Sequence, residues 1–182
     1  YKFDINYKNI EGKNILFSAI SDGDYETVQW IITNTKIDIT ALNGDRYDII
    51  SDLIYYLNVS TQKYDSKSKV KIDKTEDEIN LDIIDQIEKF KKLINFIFKN
   101  NYLKFKNSYI LDICCDKSHP EINIMILEFF LKYYDADINY TDRDDKNILM
   151  RSISFNMDTT FICYIVCKTK INIFHIDSKK CD

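Results

Sequence analysis

The sequence predicts an all-α solenoid, a stack of helix-turn-helix units joined by extended tip loops. Three observations lead there. Segments with apolar residues at helical spacing alternate with short breaks rich in Asn and Asp. One pattern returns along the chain: Asp4-Ile5-Asn6-Tyr7 recurs as Asp137-Ile138-Asn139-Tyr140, and Lys13-Asn14-Ile15-Leu16 recurs as Lys146-Asn147-Ile148-Leu149. The spacing from Asp4-Ile5 to Ile37-Asp38-Ile39 is close to the ~33 residues of a short helical repeat.

Composition allows this and narrows the rest. The 182 residues suffice for one domain or for about four to five short repeats. With 45% apolar and 30% charged residues the chain can bury a core. A net charge of -4 advertises neither nucleic acid nor an anionic membrane. The apolar run from Ile122 to Leu131 is interrupted by Asn123 and Glu128 and is too short to span a bilayer, so no membrane insertion is expected. There are only 3 Gly and 1 Pro, so Asn and Asp must take the left-handed turn positions that Gly usually fills. The 5 Cys, four of them in apolar helical segments, read as reduced buried thiols and point to the cytoplasm, a reducing intracellular compartment. The first residues from Tyr1 already belong to a repeat. The expectation is a piece of a longer array, with further repeats at both ends.

In the first unit (4–37), Phe3, Ile5 and Tyr7 alternate with polar residues in an extended tip closed by Gly12. A short helix over about 14–21 places Ile15, Leu16, Ala19 and Ile20 on one face. Asp22-Gly23-Asp24 turns the chain into a second helix over about 25–33, with Val28, Ile31 and Ile32 as its stripe and Trp30 beside it. The second unit (38–101) has its tip at Leu42-Asn43-Gly44-Asp45, where Asn43-Gly44 signals a turn. A helix over about 47–58 carries Ile49, Ile50, Leu53, Ile54 and Leu57. Ser60 to Thr75 reads as a long solvated insertion loop. Thr75 and Glu78 offer a capping box, with Asn80 as a rival cap, for a long helix with Ile84, Ile87, Phe90, Leu93, Ile94, Ile97 and Phe98 inside.

The third unit (102–136) is degenerate. Tyr109 to Asp116 is a short helix, and Pro120 suits the first turn of another, over about 121–134, with Ile122, Ile126, Leu127, Phe130 and Leu131 inside. The fourth unit (137–171) returns to form, with Asn156 where Gly23 stood and Phe161, Tyr164, Ile165 and Val166 in its second helix. Residues 172–182 would be the tip of a partial fifth unit.

The first and fourth units resemble ankyrin repeats. The matching features are Asp4-x-Asn6, Gly12-x-Asn14-Ile15-Leu16-x-x-Ala19, Gly23, Val28 and the Ile31-Ile32 pair. Of the Thr-Pro-Leu-His-x-Ala segment usual in that family, the Leu and the Ala are kept. Asn14 and Asn147 stand for the capping Thr, Ile15 and Ile148 for Pro, and Phe17 and Met150 for His. The resemblance implies a protein-binding solenoid without catalytic activity.

Catalytic and cofactor chemistry has little to stand on. Three glycines cannot write a phosphate cradle or a dinucleotide fingerprint. Cys163 and Cys167, with His175 and Cys181 beyond, could hold Zn²⁺, but the two cysteines continue the Ile162-Ile165-Val166 surface and read as core. Cys114-Cys115 is a vicinal pair whose side chains point to different helix faces. His119 and His175 lack a nucleophile partner, Asp142, Asp144 and Asp145 lack the glycine and glutamate of a calcium loop, and the lysines of 67–74 are interleaved with acids. No cofactor and no metal is expected.

The functional expectation is a non-catalytic interaction scaffold that binds a protein through the repeat tips and the concave face of the first helices. The candidate contact residues are Tyr7, Lys8, Asn9, Asp45, Arg46, Tyr140, Asp142, Arg143 and Asp144. The alternatives are a structural spacer, a regulatory repeat region of a larger protein, or a different helical repeat.

Overall fold

Asn14 starts the first helix. Its backbone is extended and its Oδ1 accepts from the N–H groups of Leu16 (3.0 Å) and Phe17 (3.3 Å), two of the donors that an α-helix start leaves unpaired. Helix α1 (Ile15–Ser21) follows, then a turn in which Gly23 has φ 70°, then α2 (Tyr25–Asn34), capped by Asp24 through Thr27 N–H at 3.0 Å. The hydroxyl and N–H of Thr27 hold the Asp24 carboxyl below the usual carboxylate range.

The computed structural model describes residues 4–62, 76–115 and 120–178. Among them the regular structure is helical, with no strand. The elements after α2 are α3 (Ile49–Gln62), α4 (Glu76–Lys99), α5 (Tyr109–Asp112) continued by a 3₁₀ turn (Ile113–Cys115), α6 (Pro120–Tyr133), α7 (Ile148–Ser154) and α8 (Thr159–Lys168). No helix among the described residues is long and apolar enough to cross a membrane. The chain divides into two compact units, 1–104 and 105–182.

In the first unit α1 packs on α2 and on α3, α3 on α4, and α2 on α4. Two helix pairs thus stack with like helices adjacent. The seam holds Leu16, Phe17 and Ile20 of α1, Val28 and Ile31 of α2, Ile50, Leu53, Ile54 and Leu57 of α3, and Ile87, Phe90, Ile94 and Ile97 of α4, all buried. Each such side chain contributes about 1.5–3 kcal/mol by leaving water. α3 begins at Ile49 because Asp48 caps it, its Oδ1 accepting from Ile50 and Ser51 N–H. It runs to Gln62, so the expected insertion loop loses its first residues to the helix, and residues 63–75, with the Thr75 cap, lie outside the described residues. Ile84 was expected inside and is exposed; among the described side chains of α4 the buried ones start at Ile87.

In the second unit α7 packs on α5, on the 3₁₀ turn and on α8, while α6 packs on α8 and on the 3₁₀ turn. Pro120 is the first residue of α6, where its missing N–H costs nothing. Phe105 stacks on Tyr134 (5.4 Å between centroids, 11° between planes) and meets Phe130 edge-on at 5.3 Å, so aromatic rings cover this end of α6. Ser152 stands where α1 has Ala19; its hydroxyl donates to the Ile148 carbonyl at 2.7 Å and lies 3.3 Å from the buried Cys114 Sγ. A small side chain there lets the helices approach, and the hydroxyl is satisfied.

Turns follow the substitution expected from the glycine count. Asn101, Asp135, Asp145 and Asn156 all take positive φ, with Asn156 (53°) in the place of Gly23. Arg46, at φ 66°, was not anticipated.

Two expectations about the last helix fail. Cys163 and Cys167 are exposed, not core, and Val166 is exposed as well. Phe161 and Ile165 set the buried stripe of α8. At ~100° per residue, positions two further on face the opposite side. Cys181 and His119 lie outside the described residues, as do the lysines of 67–74.

Candidate functional site: the tip hairpins

Three tips share one construction. In the first, Asn9 Oδ1 accepts from Glu11 N–H and Lys13 N–H, both at 3.0 Å, while Asn9 N–H donates to the Lys13 carbonyl at 2.9 Å. In the second, Asn43 Oδ1 accepts from Asp45 N–H (3.0 Å) and Tyr47 N–H (2.9 Å), and Asn43 N–H donates to Tyr47 O. In the third, Asp142 Oδ1 accepts from Asp144 N–H (2.9 Å) and Lys146 N–H (3.0 Å), and Asp142 N–H donates to Lys146 O. The residue that closes each turn has positive φ: Gly12 at 72°, Arg46 at 66° and Asp145 at 59°. A short side-chain oxygen two and four residues ahead of the N–H groups it binds is what makes the loop fold on itself.

This placement divides the candidate contact residues. Asn9 and Asp142 occupy the same position, and their side chains are committed to the turn. Arg46 is at the strained corner. Tyr7, Lys8, Asp45, Arg143 and Asp144 project into solvent, and Tyr140 is half-buried. Lys8 Nζ reaches the Leu42 carbonyl at 2.8 Å, so it also ties the first tip to the second.

Sequence reading missed Asn43 as the third member of the set. The signal was present: an Asx residue stands five positions before the Asx helix cap in Asn9/Asn14, Asn43/Asp48 and Asp142/Asn147. It also missed what the Asp-Ile-Asn segment does. Asn6 accepts from Asp38 N–H (2.7 Å) and donates to Lys36 O (3.3 Å); Asn139 accepts from Asn172 N–H (2.6 Å) and donates to Lys170 O (3.2 Å). Asn107 Oδ1 accepts from Asp137 N–H at 2.9 Å. These side chains clip one tip to the segment that leads into the next.

Behind the tips a second tie reaches back to the first helix. Asn43 Nδ2 donates to Asp52 Oδ1 of α3 at 2.8 Å, and Arg151 of α7 donates to Asp142 Oδ2 at 3.1 Å. Burial pushes the Asp52 carboxyl up to about 6, against the pull of Lys13 and the Asn43 hydrogen bond. Burial also acts on Asp142, but the N–H groups of Lys146 and Asp144 together with Arg151 hold it below the usual carboxylate range. Lys13 donates to the Tyr56 hydroxyl at 2.9 Å, which with nearby Glu11 raises the lysine further.

Close approach of the tips in the first unit explains Gly44. A Cβ there would clash with the Glu11 carbonyl oxygen, so the constraint is space, not φ. The Asn43-Gly44 pair was read as the turn itself; the left-handed residue is Arg46.

The first unit also has a cleft of about 380 Å³ between the α1–α2 turn, Tyr56 of α3 and the start of α4, lined by Asp22, Asp82, Asp85 and Lys89. Lys89 pairs with Asp85 at 2.7 Å. Ser21 also lines the cleft, and its hydroxyl donates to the Phe17 carbonyl at 2.9 Å. Among the described residues no group of three or more His, Cys, Asp or Glu could hold a metal ion, and His175 Nε2 is 2.6 Å from the Asp145 carbonyl oxygen. No protein-family model, curated protein or solved structure matches this chain.

Proposed function

We propose that this chain is a non-catalytic protein-binding scaffold of ankyrin type, whose helix pairs stack as a solenoid and whose tips present the contact residues. The supporting observation is the division of labour at the tips. Asn9, Asn43 and Asp142 are spent on building three equivalent hairpins, and Tyr7, Asp45, Arg143 and Asp144 are left projecting from them. A rigid loop with a solvent-facing Tyr and charged neighbours loses little entropy when it is covered. On this reading the partner is a protein, no cofactor takes part, and the chain works in the reducing cytoplasm.

The test is photo-crosslinking from positions 7 and 143, with position 29 on α2 as control, in an extract of the source cells. One partner band from both tip positions, lost on Tyr7→Ser with Arg143→Ser while the thermal midpoint is unchanged, supports the reading. Equal crosslinking from the control position, or binding that survives the double substitution, overturns it.

A further inference from the structure

The cleft of the first unit stands at the far end of α1 from the tip, walled by the α1–α2 turn, Tyr56 of α3 and the start of α4. Its volume of about 380 Å³ lies in the range of small-molecule sites, about 300–1,000 Å³. The walls carry Asp22, Asp82 and Asp85 against Lys89, so an anion is repelled. Lys89 is held by Oδ2 of Asp85 at 2.7 Å. The Asp22 carboxylate has no hydrogen bond or ion pair among the described residues. These acids do not converge on a bare ion, since no metal-holding group of three is found among the described residues. A second feature is independent of the charge. Tyr25, the first residue of α2, is only 9% exposed and lines the cleft. Its hydroxyl has no hydrogen-bond partner among the described residues and is not sealed from solvent, so it opens on the cleft. A phenol so deeply placed is costly to leave unpartnered. Burial pushes it up to about 12, so it stays neutral and keeps lone pairs for an N–H donor. Tyr56 is half-buried, and Lys13 donates to its hydroxyl at 2.9 Å, so what Tyr56 offers a ligand is ring surface.

We propose that this cleft binds a small organic cation: a guanidinium or primary ammonium group donates to the Asp22 carboxylate and the Tyr25 hydroxyl, and its alkyl stem lies against the Tyr56 ring. A charged donor on a carboxylate makes the stronger of these two bonds. It also gives the Tyr25 hydroxyl the partner that the chain itself does not supply. Two sources carry this chemistry, a free amine and the side chain of a basic peptide, and titration tells them apart. The site is separate from the tips, so its failure leaves the tip reading standing.

Amide NMR shifts of the full chain, titrated with agmatine, with the capped peptide acetyl-Gly-Arg-Gly-amide and with butan-1-ol, test this. The expected result is saturable movement of the Asp22, Gly23 and Tyr25 amides, with a Kd of about 1 mM or below for at least one guanidinium probe. The tighter of the two probes names the source. Butan-1-ol, a similar stem without charge, should move none of them. Asp22→Asn should weaken binding about tenfold and Tyr25→Phe about threefold. Glu121→Gln, which removes the same charge from an exposed position on α6, should leave it unchanged. Asp22 is exposed and Tyr25→Phe breaks no hydrogen bond among the described residues, so neither variant should lower the thermal midpoint. No saturable movement with either guanidinium probe, equal movement with butan-1-ol, or equal weakening by Glu121→Gln overturns the proposal.

Discussion

The two tip-to-helix ties make the same connection with opposite chemistry. In the first unit the tip carries the amide, Asn43, and the helix carries the carboxylate, Asp52, which is buried. In the second the tip carries the carboxylate, Asp142, and the helix carries the guanidinium, Arg151, both partly exposed. Asp52 and Arg151 stand at the same position of their helices, four residues after the caps Asp48 and Asn147. Burial of the Asp52 carboxyl outweighs the pull of Lys13 and the bond from the amide, so its proton is held more tightly. A carboxylate facing an arginine and two N–H groups is stabilised as the anion. The architecture asks only for a bond at that place. The pH response depends on which partner is charged.

The comparison between corresponding positions can be broken most sharply in the core. Ile20→Ala removes a side chain covered on every side and should cost about 2–5 kcal/mol. Ile153→Ala, at the matching but bare position, should stay within about 0.5 kcal/mol. Urea unfolding at low protein concentration reads both, and equal losses would contradict the difference in burial between the two positions.

Next in size is the tip contact. Gly44→Ala puts a Cβ on the Glu11 carbonyl and should cost about 1–3 kcal/mol. Arg143→Ala, at the same place in the tip of the second unit, should be near neutral. Thermal midpoints separate the two.

The ties themselves should respond to pH in opposite directions. The folded pKa of Asp52, about 6, lies above its unfolded value. Its contribution to stability is therefore complete below about pH 4 and is lost as pH rises through about 6. Asp52→Asn keeps an acceptor for Asn43 and should stabilise by on the order of 1–2 kcal/mol at pH 7, after allowance for solvent screening, and by nothing at pH 4. The folded pKa of Asp142 is depressed, so its contribution is present above about pH 4 and is lost as pH falls through the lowered value. Asp142→Asn should therefore destabilise by about 1 kcal/mol at pH 7 and less in acid. Parallel pH–stability profiles for the two variants would refute the assignment.

The smallest effect belongs to the clips. Asn6→Ala and Asn139→Ala each remove two exposed hydrogen bonds and should cost about 1 kcal/mol. Amide exchange should quicken at Asp38 in the first and at Asn172 in the second, and unchanged protection at both would count against the clip.

Helices, caps and turns were readable because they are local. Asn14, Asp24 and Asn147 bond to N–H groups two or three residues away, and the stripes of α2 and α4 repeat at the helical period, so neighbouring residues carry the information. The all-helical character and the turn chemistry at Asn156 came from sequence for that reason. The candidate site was readable only in part. Tyr7 and Arg143 project into solvent, but Asn9 and Asp142 are consumed by hairpins, and the roles of Asn6 and Asn139 depend on backbone about 30 residues away.

By itself, then, the sequence determined where helices begin, which residues can turn the chain, and that one residue pattern recurs. Tertiary structure alone decided which apolar stripe is covered, which tip is too tight for a Cβ, and which carboxylate is pushed toward neutrality. The physical reason is that propensity and capping act through bonds within one turn. Burial and desolvation depend on what another segment places alongside, and Ile20 and Ile153 have the same local pattern and opposite surroundings.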